Sequence, residues 1–463
     1  MNIRVRFAPS PTGFLHLGGA RTAFYNYLFA KKNKASFILR IEDTDLLRST
    51  PEAVQAIHDG MNWLGLKPDE GPFYQTKRFT RYQEVIEKWL EEGVAYRCNC
   101  SAERLEQVRA NQSASGEKPR YDGHCRNLNL SEDIGEHVVR FKNPLEGAVI
   151  VEDYVHGTVI FENKELDDLI IARSDGTPTY NFTVVVDDAD MDITHVIRGD
   201  DHLNNTPRQL NMFVAMGKTP PKYAHIPMIL GSDGKKLSKR HGAVSVMEYR
   251  DQGYLPEALL NYLVRLGWSH GDQEIFNREE LINYFSLDHL SKSPGMLNLE
   301  KLTWLNQHYL KTLPENELIE PLKWHFDKLK IDLNSGPDLI SIIKVQRDRC
   351  KTLKEMAENS AIFYQEKLDH PFSITITPAI KCAIDDLVLH LKALTIWDLE
   401  ALKKTLEDIV QNHELKFVDL GKPLRALLVG NKSNLPIYSI FYLFGKDKTL
   451  NVLASLNTVE VIS

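Results

Sequence analysis

The chain has 463 residues, 43% hydrophobic and 26% charged, with a formal net charge of −7. This length accommodates about three domains with cores of their own, and the balance excludes a disordered or collagenous chain. The mild acidic excess excludes a uniformly basic nucleic-acid coat, though not local basic faces.

At the amino end, Ile3, Val5 and Phe7 alternate with Arg4 and Arg6, which predicts a strand rather than a secretory signal core. A loop, Ala8 to Gly13, follows. From Gly18 the apolar residues Ala20, Ala23, Phe24, Tyr27 and Leu28 recur at helical spacing, and Lys31-Lys32 suit the negative end of that helix. A second strand, Phe37 to Ile41, delivers Glu42-Asp43-Thr44-Asp45 at its carboxyl end, ahead of a helix over Ala53 to Leu64. Strand, helix, strand implies a parallel sheet. Between about Tyr96 and Leu169 the pattern changes to short strands, Val138 to Lys142 and Ala148 to Glu152, with a tight His156-Gly157 turn between Tyr154-Val155 and Thr158 to Phe161. This predicts an inserted α+β unit. The sheet is expected to resume with strands over Phe182 to Val186, Val196-Ile197 and His225 to Leu230. Beyond Gly242 the segments read as helices. One starts at Pro256, ahead of Ala258, Leu259, Tyr262, Leu263 and Leu266, and another at Pro423, ahead of Leu424, Leu427 and Leu428. No run reaches the ~18 apolar residues of a membrane span, so a cytoplasmic protein without membrane contact is expected.

Two loops carry chemistry. The first, Pro9 to Gly19, joins a strand to a helix N-terminus, where free N–H groups and positive dipole suit phosphate. Gly18 and Gly19 permit close backbone approach there, and His16 can donate to a phosphate oxygen. The second, Gly231 to Arg240, follows another strand and carries Lys236 and Lys239, which can grip a triphosphate and follow charge onto departing pyrophosphate. Taken singly, each string also fits an ordinary connection or a solvated basic turn.

Together they say more. His16-Leu17-Gly18-Gly19 resembles the HIGH signature, and Lys236-Leu237-Ser238-Lys239-Arg240 the KMSKS signature, of class I aminoacyl-tRNA synthetases. The stretches Arg6 to Arg21, Arg40 to Asp45, Asp187-Asp188, Val196 to His202 and Lys236 to Glu248 resemble the bacterial glutamyl-tRNA synthetase family. Gly19 stands where HIGH usually has its second histidine, as is common in that family, so His16 is the signature's only histidine.

The resemblance implies a Rossmann-like parallel-sheet catalytic core in two halves, residues 1–95 and 175–242, interrupted by an acceptor-stem-binding α+β domain at 96–174. A helical stem-contact region at 243–310 and an all-α anticodon-binding region at 311–463 would follow. A glutaminyl relative would instead end in β-barrels. The implied reaction activates L-glutamate with ATP and Mg2+ to glutamyl-adenylate, then transfers it to the terminal adenosine of tRNA(Glu), by a monomer that needs the RNA bound first. His16, Lys236 and Lys239 would be catalytic, with Gly18, His202 and Ser238 also near ATP. Free glutamate has two carboxylates and an ammonium, so its pocket needs fixed guanidinium groups and a compensating acid. Arg6, Glu42 and Arg198 would converge at the carboxyl edge of the sheet. By resemblance, Arg6, Ala8, Ser10, Glu42, Tyr180 and Arg198 form the pocket, with Arg198 on the side-chain carboxylate and Glu42 on the α-ammonium.

Five cysteines in a chain of this length make no disulfide framework. Cys98, Cys100 and Cys125 supply three soft ligands for a structural Zn2+, which wants four. Relatives often continue to a histidine where this chain has Asn127. Tyr121, His124 or a water could complete the shell, and a related group points to Tyr121. Free cysteines are the alternative. Cys350 and Cys382 are expected to be buried apolar residues, and Arg347, Arg349, Lys351 and Lys354 to form either an RNA contact or a solvated helix face.

Overall fold

The computed structural model describes residues 2–237, 245–365, 376–430 and 433–454. The chain divides into two compact units, one comprising Met1–Tyr249 with Pro256–Leu302 and the other Arg250–Leu255 with Thr303–Ser463. Among the described residues no helix is long and apolar enough to cross a membrane.

The first unit opens with β1 (Arg4–Phe7), α1 (Leu17–Lys32), β2 (Ser36–Ile41), α2 (Pro51–Trp63) and β3 (Glu70–Tyr74). Helix α3 (Phe79–Glu91) leads to β4 (Ala95–Cys98), α4 (Ala102–Ala114), β5 (Val138–Phe141), β6 (Ala148–Asp153), β7 (Gly157–Glu162) and β8 (Ile170–Ala172). Next come α5 (Tyr180–Asp190), β9 (His195–Gly199), α6 (Thr206–Ala215) and β10 (Lys222–Ile226). The main sheet has seven strands in the order β3-β2-β1-β9-β10-β6-β7, parallel except for β7. The chain runs outward from β1 through β2 to β3 and then returns on the other side with β9. The carboxyl ends of β1 and β9 therefore flank the switch point at which ligands bind in such sheets.

Register fixes which side chains share a face. Paired residues of parallel strands point the same way, and side chains two apart do so within a strand. Arg6 pairs with Ile38, two before Arg40; Val5 pairs with His195, which puts Arg6 level with Val196, two before Arg198. His225 pairs with Arg198, and Tyr223 with Asp153. Arg6, Arg40, Arg198, His225 and Asp153 thus share one face near the carboxyl edge.

Several expectations need correction. Phe182 to Val186 is not a strand but part of α5, buried from Phe182 through Ala189. A helix buried all round has no polar stripe to reveal its period, and its β-branched run reads as a strand. It packs with α3, α6 and the antiparallel sheet β4-β5-β8 around Trp89, Phe141 and Phe182. The hairpin in the inserted region pairs Ala148–Asp153 with Gly157–Glu162, so its turn is Tyr154 to His156. These strands extend the main sheet through β10. The expected strand from His225 to Leu230 splits into β10 and β11 (Ile229–Leu230), which pairs with β12 (Gly295–Met296). Pro227, lacking an N–H, stands at the break.

In the second unit the described elements are all helical: Glu315–Lys328, Leu339–Gln346, Leu353–Ser360, Pro378–Ala393, Leu399–Asn412, Phe417–Val429 and Ile437–Ala454, with short 3-10 turns. Pro423 does not open its helix. The helix starts at Phe417, because Leu420 belongs to the same buried stripe as Leu424 and Leu428. Cys350 is buried but Cys382 is exposed, contrary to expectation. Arg347 is not a solvated group. It donates to the carbonyls of Leu310 and Leu313 and pairs with Glu315.

Candidate active site

The first signature loop folds on itself. His16 caps α1, its Nδ1 accepting from the Gly19 N–H at 3.0 Å. The neutral ring then carries its proton on Nε2, leaving a donor for a ligand oxygen. Burial, and then the charge of Lys236, lower the His16 imidazole from its ordinary value. A Cβ on Gly18 would lie 3.2 Å from His16 Nδ1, so glycine there makes room for the capping ring itself. The second loop turns back through a Gly231 N–H to Lys235 carbonyl bond of 2.8 Å and a bridge between Leu230 and Lys236. Ser238 and Lys239 lie outside the described residues. Ser245 bridges to His16.

A cavity of about 530 Å³ opens at the carboxyl edge. Its wall includes His16, Gly18, His202 and Lys236 from the expected nucleotide group, and Arg6, Ala8, Ser10, Glu42, Tyr180 and Arg198 from the expected amino-acid group. Arg6 is anchored by Nε to Asp188 at 3.2 Å. Arg198 donates from Nε to His225 Nε2 at 3.1 Å and from Nη2 to Thr206 Oγ1 at 2.9 Å and Gln209 Oε1 at 2.8 Å. Among the described residues its buried Nη1 has no partner. A buried donor without a partner costs free energy until something accepts from it, so Nη1 is the atom of Arg198 whose hydrogen-bonding capacity is unspent. Tyr180 Oη lies 3.1 Å from His202 Nδ1. Burial pushes Tyr180 up to about 12, and burial followed by Arg198 lowers His202, so both stay neutral near pH 7.

Behind the wall lies a charge network that the sequence did not reveal. Fully buried Arg40 contacts Asp188 at 2.6 Å, Glu42 at 3.0 Å and Asp187 at 3.6 Å. Asp187 also accepts from Arg78, Gln75 and Tyr82. Burial pushes the Glu42 carboxyl up against the pull of Arg40 and Arg6. A cationic group arriving at Glu42 would favour its ionised form. The available signal was Arg40 inside the apolar strand Phe37 to Ile41, and two aspartates ending an apolar run. Both mark charges that must find buried partners.

The three cysteines also gather. Their sulfurs lie within 4.8 Å of one another, and the Tyr121 hydroxyl lies 3.4 Å from Cys98 and 3.7 Å from Cys100. Tyr121 is therefore at the cluster, whereas His124 is exposed and outside it. Three soft sulfurs and a phenol oxygen are a donor set that suits zinc.

An open, mostly parallel sheet with a helix-capping histidine, a lysine loop and buried arginines at its switch point has the form of an α/β nucleotide-binding enzyme. Residues 2–304 match the family model "tRNA synthetases class I (E and Q), catalytic domain", and residues 317–456 match "Anticodon binding domain". The chain belongs to the class I tRNA synthetases of the E and Q family. Its fold is similar to that of a glutamate tRNA ligase from Elizabethkingia meningosepticum in complex with its amino acid, at 30% identity and TM-score 0.83, over 99% of this chain and 100% of that one. It is also similar to a glutamate-tRNA synthetase from Elizabethkingia anophelis, at 30% identity and TM-score 0.79, over 98% and 99% of the two chains.

Proposed function

We propose that the chain is a glutamate–tRNA ligase, which activates L-glutamate with Mg2+-bound ATP and transfers it to tRNA(Glu). The observation that carries this is that one cavity wall holds His16 and Lys236 together with Arg6, Glu42 and Arg198. The α-carboxylate of glutamate attacks the α-phosphorus in line, and pyrophosphate leaves. His16, Lys236 and Lys239 stabilise the transferring and departing phosphates, while Gly18, His202 and Ser238 face the nucleotide. Arg198 takes the side-chain carboxylate and Glu42 the α-ammonium; Arg6, Ala8, Ser10 and Tyr180 complete the pocket. A terminal ribose hydroxyl of the RNA then attacks the activated carbonyl, and AMP leaves. The test is pyrophosphate exchange with ATP and tRNA(Glu), comparing glutamate with glutamine. Exchange with glutamine alone would sink the assignment.

Lys236→Ala is expected to slow adenylate formation by about 100-fold, close to 3 kcal/mol of transition-state stabilisation. Binding of tRNA(Glu) should be nearly unchanged, and Lys239→Ala should behave alike. Unaltered single-turnover rates would remove these lysines from the chemistry.

The enzyme works as a cytoplasmic monomer, with the acceptor stem on residues 96–174, the stem contact on 243–310 and the anticodon on 311–463. Cys98, Cys100, Cys125 and Tyr121 hold one Zn2+, which would tie the loop after β4 and do no chemistry. The purified protein is then expected to carry about one zinc per chain. Cys100→Ser should lose the metal and melt several degrees lower, read by elemental analysis and calorimetry. Metal-free protein with the same melting point as the loaded form would refute a structural zinc.

A further inference from the structure

We infer that Asp153 and His225 are positioning residues for Arg198, holding through one imidazole tautomer the guanidinium that meets the side-chain carboxylate. The inference rests on the glutamate reading above and names residues beyond the pocket proposed there.

The geometry leaves little freedom. Asp153, at the end of β6, accepts four N–H groups: Val155 N at 2.8 Å and His156 N at 2.9 Å on Oδ1, and His225 N at 3.1 Å and His225 Nδ1 at 2.7 Å on Oδ2. The backbone donors aim Oδ2 at the imidazole, so Nδ1 carries the proton. Burial pushes the Asp153 carboxyl up, but these hydrogen bonds outweigh it and keep the group ionised. Burial also pulls His225 down to about 4 despite the hydrogen bond it donates to Asp153, so the ring is neutral near pH 7. Its Nε2 is then an acceptor, and it takes the Arg198 Nε–H at 3.1 Å. The opposite tautomer would set N–H against N–H. With Nη2 held by Thr206 and Gln209, and the guanidinium carbon 5.4 Å from the Tyr223 ring centroid, Arg198 is fixed on three sides. Nη1 is the group left over.

Strand β6, from the inserted region, joins the main sheet beside β10, and Asp153 is the residue at the pairing point.

The test uses the full chain with tRNA(Glu) in pyrophosphate exchange. His225→Phe keeps a ring but removes the acceptor, whereas His225→Gln keeps an acceptor at the end of a similar reach. His225→Phe is expected to raise KM for glutamate by about tenfold to a hundredfold, with KM for ATP changed less than about twofold, and His225→Gln to recover most of the loss. Asp153→Asn should raise the same KM, because an amide cannot accept on both of its ends. Selective 15N-histidine spectra of the parent protein should show His225 protonated on Nδ1 alone. Equal KM values for glutamate in His225→Phe and His225→Gln at matched melting temperature, or a proton on Nε2 in the parent, overturn the positioning role. Failure of the parent protein to exchange with glutamate overturns the functional reading instead, and the inference with it.

Discussion

Replacing Arg198 by alanine is expected to lower kcat/KM for glutamate by about two to three orders of magnitude, chiefly through KM, while KM for ATP changes little. The cause is local. Arg198 is buried, its Nε and Nη2 are engaged by His225, Thr206 and Gln209, and its Nη1 has no partner among the described residues. Without it the substrate carboxylate would enter a desolvated wall lacking one of its guanidinium groups, which costs more than an exposed ion pair contributes. Arg198→Lys should rescue poorly, since an ammonium keeps the charge but cannot engage His225, Gln209 and a ligand from one rigid plane. Steady-state kinetics over a wide glutamate range decides the matter, and a variant with parental KM would place the carboxylate elsewhere.

Arg40→Met should have the largest effect on stability, a loss of about 3–5 kcal/mol. The methionine fits the volume, but Asp188, Glu42 and Asp187 would keep their burial and lose the cation they share. The pH dependence follows from the sign of the shift. Burial pushes Asp188 up, but Arg6 and Arg40 outweigh it, so its folded-state pKa lies below the unfolded one. Its contribution is therefore present above the unfolded carboxylate pKa of about 4 and is lost as pH falls through the folded value. In the variant the carboxylates protonate more easily, so the deficit relative to the parent should shrink as pH falls from 7 to 4, into the carboxylate range. Urea melts at both pH values measure it, and a deficit that is small or grows on acidification would contradict the account.

Arg6 and Glu42 depend on the same cluster, because Asp188 bridges Arg6 to Arg40. The residues facing the cavity are thus held by charges that do not face it. Such support tends to fix a site within the tolerance that catalysis needs.

Much of this was legible in the sequence, and for a physical reason. The loop from Pro9 to Gly19 does its work among neighbours, with His16 capping onto Gly19 three residues on, so a short string encodes the geometry. Period-2 and period-3.6 patterns likewise located β1, α1, β2 and α2, since each half-buried element shows one apolar side. Helix α5 was misread because it is buried all round.

What only tertiary structure decided is the support behind the pocket. His225 meets Asp153 across 72 residues and Arg198 across 27, through the register of three parallel strands. Arg40 finds its carboxylates on α5, 147 and 148 positions along (187 − 40 and 188 − 40). Which buried charges pair depends on strand order and register, and neither is written in any local run of residues.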